Sequence, residues 1–512
     1  MSHRTEVLIA GGGTGGVAAA LAAARHHRRV ILLEQTKWIG GQFTSQGVPP
    51  DEHGWIEDFG CTRSYRALRE GIRDYYRRYY PLRAEYEVKT QLNPGNGWVS
   101  PLCHEPRVSL AVLESMLAPY IASGRLQVWH HATVTALDVH HQLVRAAQVN
   151  HQGQTKTVEA DFFLDATELG DLLPLAKCDH ESGSPGRPAN NQAFSWCFAI
   201  EHHDGQDHRI AKPARYDYWR DYIPNLTPAW PGPLLNWTVP HPRTMETLRY
   251  HFAPHQESPQ AFSGLWSYRR LRDRSLYPDG FFPSDICLVN WPLIDYLDGD
   301  LITSTPEQRE QHLQAAREMS LCVFYWLQQQ HPGLKLAPHV LGTDDGFALA
   351  PYIRESRRIQ ALKTITEQEV SADHRPGATH AALYPDSVGI GYYRIDLHPS
   401  HGGDNYVDVP ALPFQIPLGS LIPIQTQNLL PACKNIGTTH VTNGCYRLHP
   451  VEWNIGEAAG LLAHYCLAKK QTAQSAATQV EDFQHLLRAD GIELAWPTDL
   501  QLAEGDAHKH AH

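Results

Sequence analysis

The N-terminus alternates short apolar runs with turn residues. Glu6 is followed by Val7-Leu8-Ile9-Ala10, which stops at Gly11-Gly12-Gly13-Thr14-Gly15-Gly16. An alanine-rich stretch from Val17 to Ala24 follows, and then a second run, Val30-Ile31-Leu32-Leu33, closed by Glu34. Wholly apolar runs of four residues bounded by turns read as strands covered on both faces, and the alanine-rich stretch between them as a crossover helix. Later pieces extend the same layer: Ala132-Thr133-Val134-Thr135-Ala136-Leu137, a second β-rich run after it, the segment Ala160 to Asp171, and Asn428 to Asn435 as a last core strand. Asn454-Ile455-Gly456-Glu457-Ala458-Ala459-Gly460 reads as the start of a helix, and Pro306 to Gln330 as a long helix broken after its end by Pro332-Gly333. The run Tyr75-Tyr76-Arg77-Arg78-Tyr79-Tyr80 fits an amphipathic helix lying over the rest. Together these elements predict an α/β protein.

Gly11, Gly13 and Gly16 complete a G-x-G-x-x-G pattern between a strand and a helix, with the acid Glu34 at the end of the next strand. Missing side chains permit a tight turn, close approach of backbone to a pyrophosphate and close helix-on-strand packing, while the helix N-terminus faces the phosphates. The carboxylate accepts hydrogen bonds from ribose hydroxyls and argues against a 2′-phosphate. An adenine dinucleotide is therefore expected, held by Gly11, Gly13, Thr14, Gly15, Gly16, Glu34 and Gln35.

A second glycine pair, Gly40-Gly41-Gln42, suits a loop wrapping the pyrophosphate of FAD. Here the chain resembles FAD-dependent oxidoreductases of the glutathione-reductase and fumarate-reductase type. The resemblance implies that Val134 meets adenine, that Ala166 and Thr167 end the strand under the cofactor, and that Arg447, Asn454, Ile455 and Gly456 lie where the last helix points at the flavin. Glu168 stands where glycine is usual. Asn290-Trp291-Pro292, Pro351 to Ile359, Ile395-Asp396-Leu397-His398-Pro399 and Thr439 to Gly444 narrow the resemblance to the FAD-oxidored group, over about residues 5 to 468. It implies a Rossmann-like glutathione-reductase-type FAD-binding domain with an inserted α+β substrate domain. The expected boundaries are 1–48, 100–200 and 415–470 for the discontinuous FAD-binding domain, 49–99 for a helical excursion, 201–414 for the substrate cap, and 471–512 for a C-terminal helix and polar tail.

Composition limits the partners. A net charge of -11 over 512 residues, without a basic block, speaks against nucleic acid. No apolar stretch approaches the ~20 residues that span a bilayer, and no signal-peptide core follows Met1-Ser2-His3-Arg4, so a cytoplasmic location is expected. Nine cysteines without a C-x-x-C pair predict reduced, buried thiols and neither a zinc site nor a redox disulfide. The paired histidines lack convergent ligand spacing, and no metal is expected. No second G-x-G-x-x-G marks a nicotinamide domain. Electrons therefore pass between a small-molecule substrate and oxygen, a quinone or a small carrier, with the oligomeric state open.

For chemistry, the flavin takes or gives hydride and the protein moves a proton. His398 and His440 are the candidate bases. Arg354, with Arg357 one turn away if the segment is helical, is the candidate clamp for a carboxylate or oxyanion. Tyr268, Asn290, Trp291, Tyr392 and Tyr393 are candidate pocket residues. The favoured reaction is oxidation of CH–OH or CH–NH in a small polar metabolite. Reduction of an activated C=C, and a flavin-binding protein without turnover, remain as alternatives.

Overall fold

The computed structural model describes residues 2–256 and 264–500; the expected polar tail after Gly505 lies outside the described residues. Its central layer is a five-stranded sheet in the order Leu429–Pro431, Phe162–Asp165, Val7–Ala10, Val30–Glu34, Leu126–His130. Every neighbouring pair in it is parallel. These strands are apolar on both faces because helices cover one side and a second sheet the other. The second sheet includes the antiparallel meander Ala132–His140, Leu143–His151 and Gln154–Glu159.

The first helix, Thr14–Arg25, is buried along its length up to Ala24. It lies against the last long helix, His449–Lys469, and the contact needs the glycines of both. A β-carbon at Gly456 would stand 2.6 Å from the backbone carbons of Gly15, and one at Gly460 would stand 2.9 Å from Ala19 Cα. The last helix begins at His449, with Pro450 in its first turn, so Asn454, Ile455 and Gly456 lie inside it and do not head it. Pro450 supplies the start signal, since proline's missing N–H costs nothing in a first helical turn.

Arg63–Tyr79 forms a helix that buries Tyr65, Leu68, Ile72 and Tyr76, and also Arg69 and Arg73. The two guanidiniums are neutralised from below by Glu52 and Glu57, at 2.6 to 2.9 Å.

A second core fills the intervening region. Its sheet runs Arg270–Arg272, Ile286–Val289, Phe198–His202, Leu334–Leu336, with antiparallel pairing throughout. The helix Pro306–Gln330 packs on it through Ala316, Met319, Val323, Phe324 and Leu327. Its N-terminus carries a capping box in which Thr305 and Gln308 satisfy each other's backbone N–H groups. All nine cysteines are buried and unpaired. No helix among the described residues is long and apolar enough to cross a membrane, and no group of three His, Cys, Asp or Glu among them could hold a metal ion.

Candidate functional site

The parallel register brings Ala10, Glu34 and Asp165 to the same edge of the sheet, the carboxyl edge at which open α/β sheets bind ligands. A cleft opens there. Of the residues expected to hold a cofactor, Gly11, Gly13, Glu34, Gln35, Gly41, Val134, Ala166 and Thr167 line it together. Gly11 has φ +97°, and a β-carbon on it would stand 2.7 Å from Thr167 N, so only glycine allows the turn to lie on the Phe162–Asp165 strand end. Glu34 accepts the Gly12 N–H at 3.1 Å and the Thr36 N–H at 2.7 Å. Burial pushes its carboxyl up to about 7.

The remaining cofactor candidates support this cleft from behind. Gly15 packs on the backbone after Pro431, where a β-carbon would stand 3.0 Å from Ala432 C, and Gly16 packs on Gly11. Gly40 donates its N–H to Gly12 O at 2.7 Å and accepts from Thr14 Oγ1 at 3.3 Å, tying the two glycine turns together. Gln42 donates to Arg447 O and to Glu452 Oε2 at 3.1 and 2.9 Å. Asn454 holds the strand Ser387–Gly391 through Ile390 N and Val388 O, and Ile455 is core.

Sequence reasoning missed several residues here. Asp165 shapes the turn carrying Ala166 and Thr167 by accepting from Thr167 N, Thr167 Oγ1 and Leu172 N. Glu168 lies between the two glycine turns, 3.2 and 3.3 Å from β-carbon positions on Gly13 and Gly41, and is paired with buried Lys434. Gln46 donates to it at 2.8 Å. Among the described residues, Gln42 Oε1 and Gln46 Oε1 are buried without a hydrogen-bond partner. His449 Nδ1 accepts the Asp51 N–H at 3.1 Å, and the ring also hydrogen-bonds the Val48 backbone. Glycine turns that no side chain can enter, an acid at the ribose position, and orphaned polar atoms alongside fit a dinucleotide with a polar ring system.

Ala350, Pro351 and Ile353 belong to the cleft wall. Tyr352, between them in extended backbone and itself buried, turns its hydroxyl into a cluster of charged and polar side chains, because neighbouring residues there face opposite ways. Arg447 donates to the Tyr352 hydroxyl at 3.1 Å and is paired with Asp396, also at 3.1 Å. Arg269 faces Asp51 at 3.6 Å, and both guanidiniums feel Tyr352 and Tyr393. Burial pushes the Tyr268 hydroxyl up to about 12 and Tyr393 well above its ordinary value, so both are neutral donors.

His398 enters the same region. Its Nδ1 meets Asp295 Oδ2 at 2.6 Å, and its ring lies 5.6 Å from that of Tyr406. Burial raises the Asp295 carboxyl, but Arg354 and His398 outweigh it and hold the group below the usual carboxylate range.

Arg354 is committed to Asp295 at 3.2 Å, to Ala193 O and Ser195 Oγ at 2.9 Å, and to Asn290 Oδ1 at 3.4 Å. Its Nη1 and Nη2 are therefore taken, while Nε is buried without a partner among the described residues. The backbone from Pro351 to Ser356 is not helical, and Arg357 turns instead to Leu169 O at 2.8 Å and Asp171 at 3.3 Å. His440 opens the helix His440–Tyr446 and is bound at 2.7 Å to Glu355, which also takes Arg358. It serves an internal ion-pair network with Glu355 and Arg358. Trp291 is 1% exposed in the second core, packed on Phe252. Asp51, Arg269, Tyr352 and Asp295 carried no local signal in the sequence; only their convergence marks them.

Comparison with known proteins shows the family. The family model described as FAD dependent oxidoreductase matches residues 6–487. The search of curated proteins finds no match. Similar solved structures include a geranylgeranyl bacteriochlorophyll reductase-like protein from Thermoplasma acidophilum, at 10% identity over 96% of this chain and 85% of that one, with TM-score 0.33. An E. coli quinol fumarate reductase FrdA mutant is 11% identical over 95% and 75%, with TM-score 0.33. The FAD complex of glycerol-3-phosphate dehydrogenase from Bacillus halodurans is 12% identical over 39% and 40%, with TM-score 0.24.

Proposed function

The chain belongs to the FAD dependent oxidoreductase family, and from that premise we propose that it oxidises a CH–OH or CH–NH group of a small polar metabolite, with His398 as the base. Bound FAD supplies the hydride acceptor, at N5 of its ring. In this reading Gly11 to Gly16 and Gly41 hold the diphosphate, Glu34 the ribose hydroxyls and Val134 the adenine. Arg447 supplies a donor beside the turn Gly41–Phe43. The segment 201–414 is the substrate cap, since it contributes Tyr268, Arg269, His398 and Tyr352 to the polar cluster around Asp295 and Asp396.

One observation carries the reading: Asp295 Oδ2 lies 2.6 Å from His398 Nδ1, with Arg354 behind it. A carboxylate there fixes the Nδ1–H tautomer, leaves Nε2 as the proton acceptor, and stabilises the imidazolium once formed. Arg354 keeps Asp295 ionised while it does so. Electrons then leave to oxygen, a quinone or a small carrier, because no second glycine-rich dinucleotide turn accompanies the first. The test is anaerobic mixing of the yellow protein with a substrate that bleaches it. Replacing His398 with Asn should retain bound FAD and slow bleaching by about 100-fold or more. Unchanged bleaching removes His398 from the mechanism. Bleached protein that is reoxidised by an alkene acid would instead favour the fumarate-reductase-like direction.

A further inference from the structure

The dinucleotide cleft has two walls. One is made by the glycine turns and the strand ends, the other by Leu301, Arg309 and Leu313 from the cap segment. Arg309 is the one Lys, Arg or His among the described residues that line the cleft, and it shares the lining with three carboxylates, Glu34, Glu168 and Asp171. Two of these have cations of their own or are held back from ionising. Glu168 is paired with buried Lys434, and burial pushes Glu34 up to about 7. Asp171 is claimed twice. Arg357 Nη1 lies 3.3 Å from its Oδ1 and is anchored in that place by Leu169 O at 2.8 Å. Arg309 Nη1 stands 3.5 Å from the same oxygen, outside the ordinary N–H···O range. Arg309 Nε has no hydrogen-bond partner among the described residues, and the side chain is 29% exposed. Arg309 is therefore the surplus cation of the cleft.

Its position on the helix Pro306–Gln330 points the same way. That helix buries a stripe of Ala316, Met319, Val323 and Leu327, and Leu313 and Arg309 continue the stripe toward the N-terminus at helical spacing. The stripe thus runs from the cap core out over the cleft, and it ends in a charge where an apolar residue would continue the pattern. The helix itself gives no reason for that charge, because its N-terminal end is already positive and disfavours a cation close by. The capping box of Thr305 and Gln308 fixes the turn immediately before Arg309.

We propose that Arg309 reaches from the cap to the diphosphate of FAD, so that the bound cofactor fastens the first turns of this helix to the FAD-binding domain. A doubly anionic diphosphate supplies the partner that Asp171, already held by Arg357, does not. This rests on the placement of the diphosphate at Gly11 to Gly16 and Gly41 given above, and it needs neither His398 nor the substrate.

The test uses the full chain stripped of its flavin. FAD is titrated by quenching of its fluorescence, and ADP and adenosine by calorimetry. Arg309→Gln should bind FAD and ADP about 10- to 100-fold more weakly than the parent, as expected for loss of a charge-assisted hydrogen bond, with adenosine unchanged. Arg309→Lys keeps the charge and should recover part of the loss. Arg317→Gln removes an exposed charge just over two turns further along the same helix and should change none of the three affinities. In the parent, hydrogen exchange of the amides from 309 to 313 should slow when FAD or ADP is added.

An Arg309→Gln protein that binds FAD as tightly as the parent overturns the proposal. Equal weakening of ADP and adenosine also overturns it, since a residue acting only through the packing of the cap would affect both alike. If Arg309→Gln does not fold, exchange in the parent decides: a helix start unmoved by either ligand refutes the contact. Failure of the diphosphate placement looks different, because the parent itself then takes up neither FAD nor ADP, and this inference falls with it.

Discussion

Gly456→Ala probes the packing on which the cofactor turn depends. The new β-carbon would stand 2.6 Å from the carbonyl carbon and Cα of Gly15, and closer still to its oxygen. Carbon contacts settle near 3.5–4.0 Å, so the helices His449–Lys469 and Thr14–Arg25 must separate by roughly 1 Å. A gap of that size forfeits about a quarter to a half of each dispersion contact across the interface. Overpacking costs about 1–3 kcal/mol, and the upper end applies because the obstacle is backbone that cannot rotate away. Alanine's helix preference over glycine returns about 1 kcal/mol, leaving a net loss of about 2 kcal/mol.

Gly15 is also part of the turn that carries Gly11 and Gly13, so the displacement reaches the dinucleotide cleft. FAD affinity should fall by about 10-fold, equivalent to 1.4 kcal/mol. Urea denaturation of the apoprotein and titration of FAD fluorescence read the two effects. Gly460→Ala, one turn further along, should lower stability with less effect on FAD, since its β-carbon meets Ala19 and not the turn. If Gly456→Ala matches the parent in both measurements, the helix contact does not set the position of the turn.

Two further outcomes follow from the charges. Burial holds the Glu34 carboxyl near 7 in the apoprotein, with the Glu168 charge adding to the effect. Ribose hydroxyls donating to it favour the ionised form, so the bound state takes up fewer protons and FAD affinity should rise with pH, by at most about tenfold per unit, levelling above pH 7. Glu34→Gln should flatten that slope, and an affinity that falls with pH over the same range would contradict the assignment. Asp295→Asn leaves the Arg354 guanidinium buried without its carboxylate and should destabilise the protein by about 3 kcal/mol in urea. It should also slow flavin reduction as His398→Asn does, whereas a variant as stable and as fast as the parent would remove Asp295 as the positioning group.

The cofactor half of the site was legible because its signals are local. The glycine turn, Glu34 and Ala166 each follow from a few consecutive residues, and the parallel register brings them to one edge, where Val134 of the neighbouring meander meets them. The start of the last helix was misplaced because the Asn454-to-Gly460 pattern resembles a helix N-terminus, although Pro450 carries the true signal. Gly456 then gains its meaning only from Gly15, far away in the chain. The substrate half was much less legible. Asp51 and Arg269, or Asp295 and His398, lie on unrelated segments, and nothing near each residue separates a ligand group from an internal ion pair. Arg354 shows the cost of that ambiguity: its sequence context suggested a clamp, while its Nη groups are held by Asp295, Ser195 and Asn290.

The central claim is that separated stretches of the chain form one cradle for the whole of FAD, adenosine half included. The direct measurement is reconstitution of the apoprotein with FAD and, in parallel, with FMN, followed by gel filtration and absorbance of the protein peak. The account predicts one FAD retained per chain and no retained FMN, because Glu34 and Val134 can hold only the adenosine half. A colourless peak with FAD, or equal retention of FMN, would contradict it.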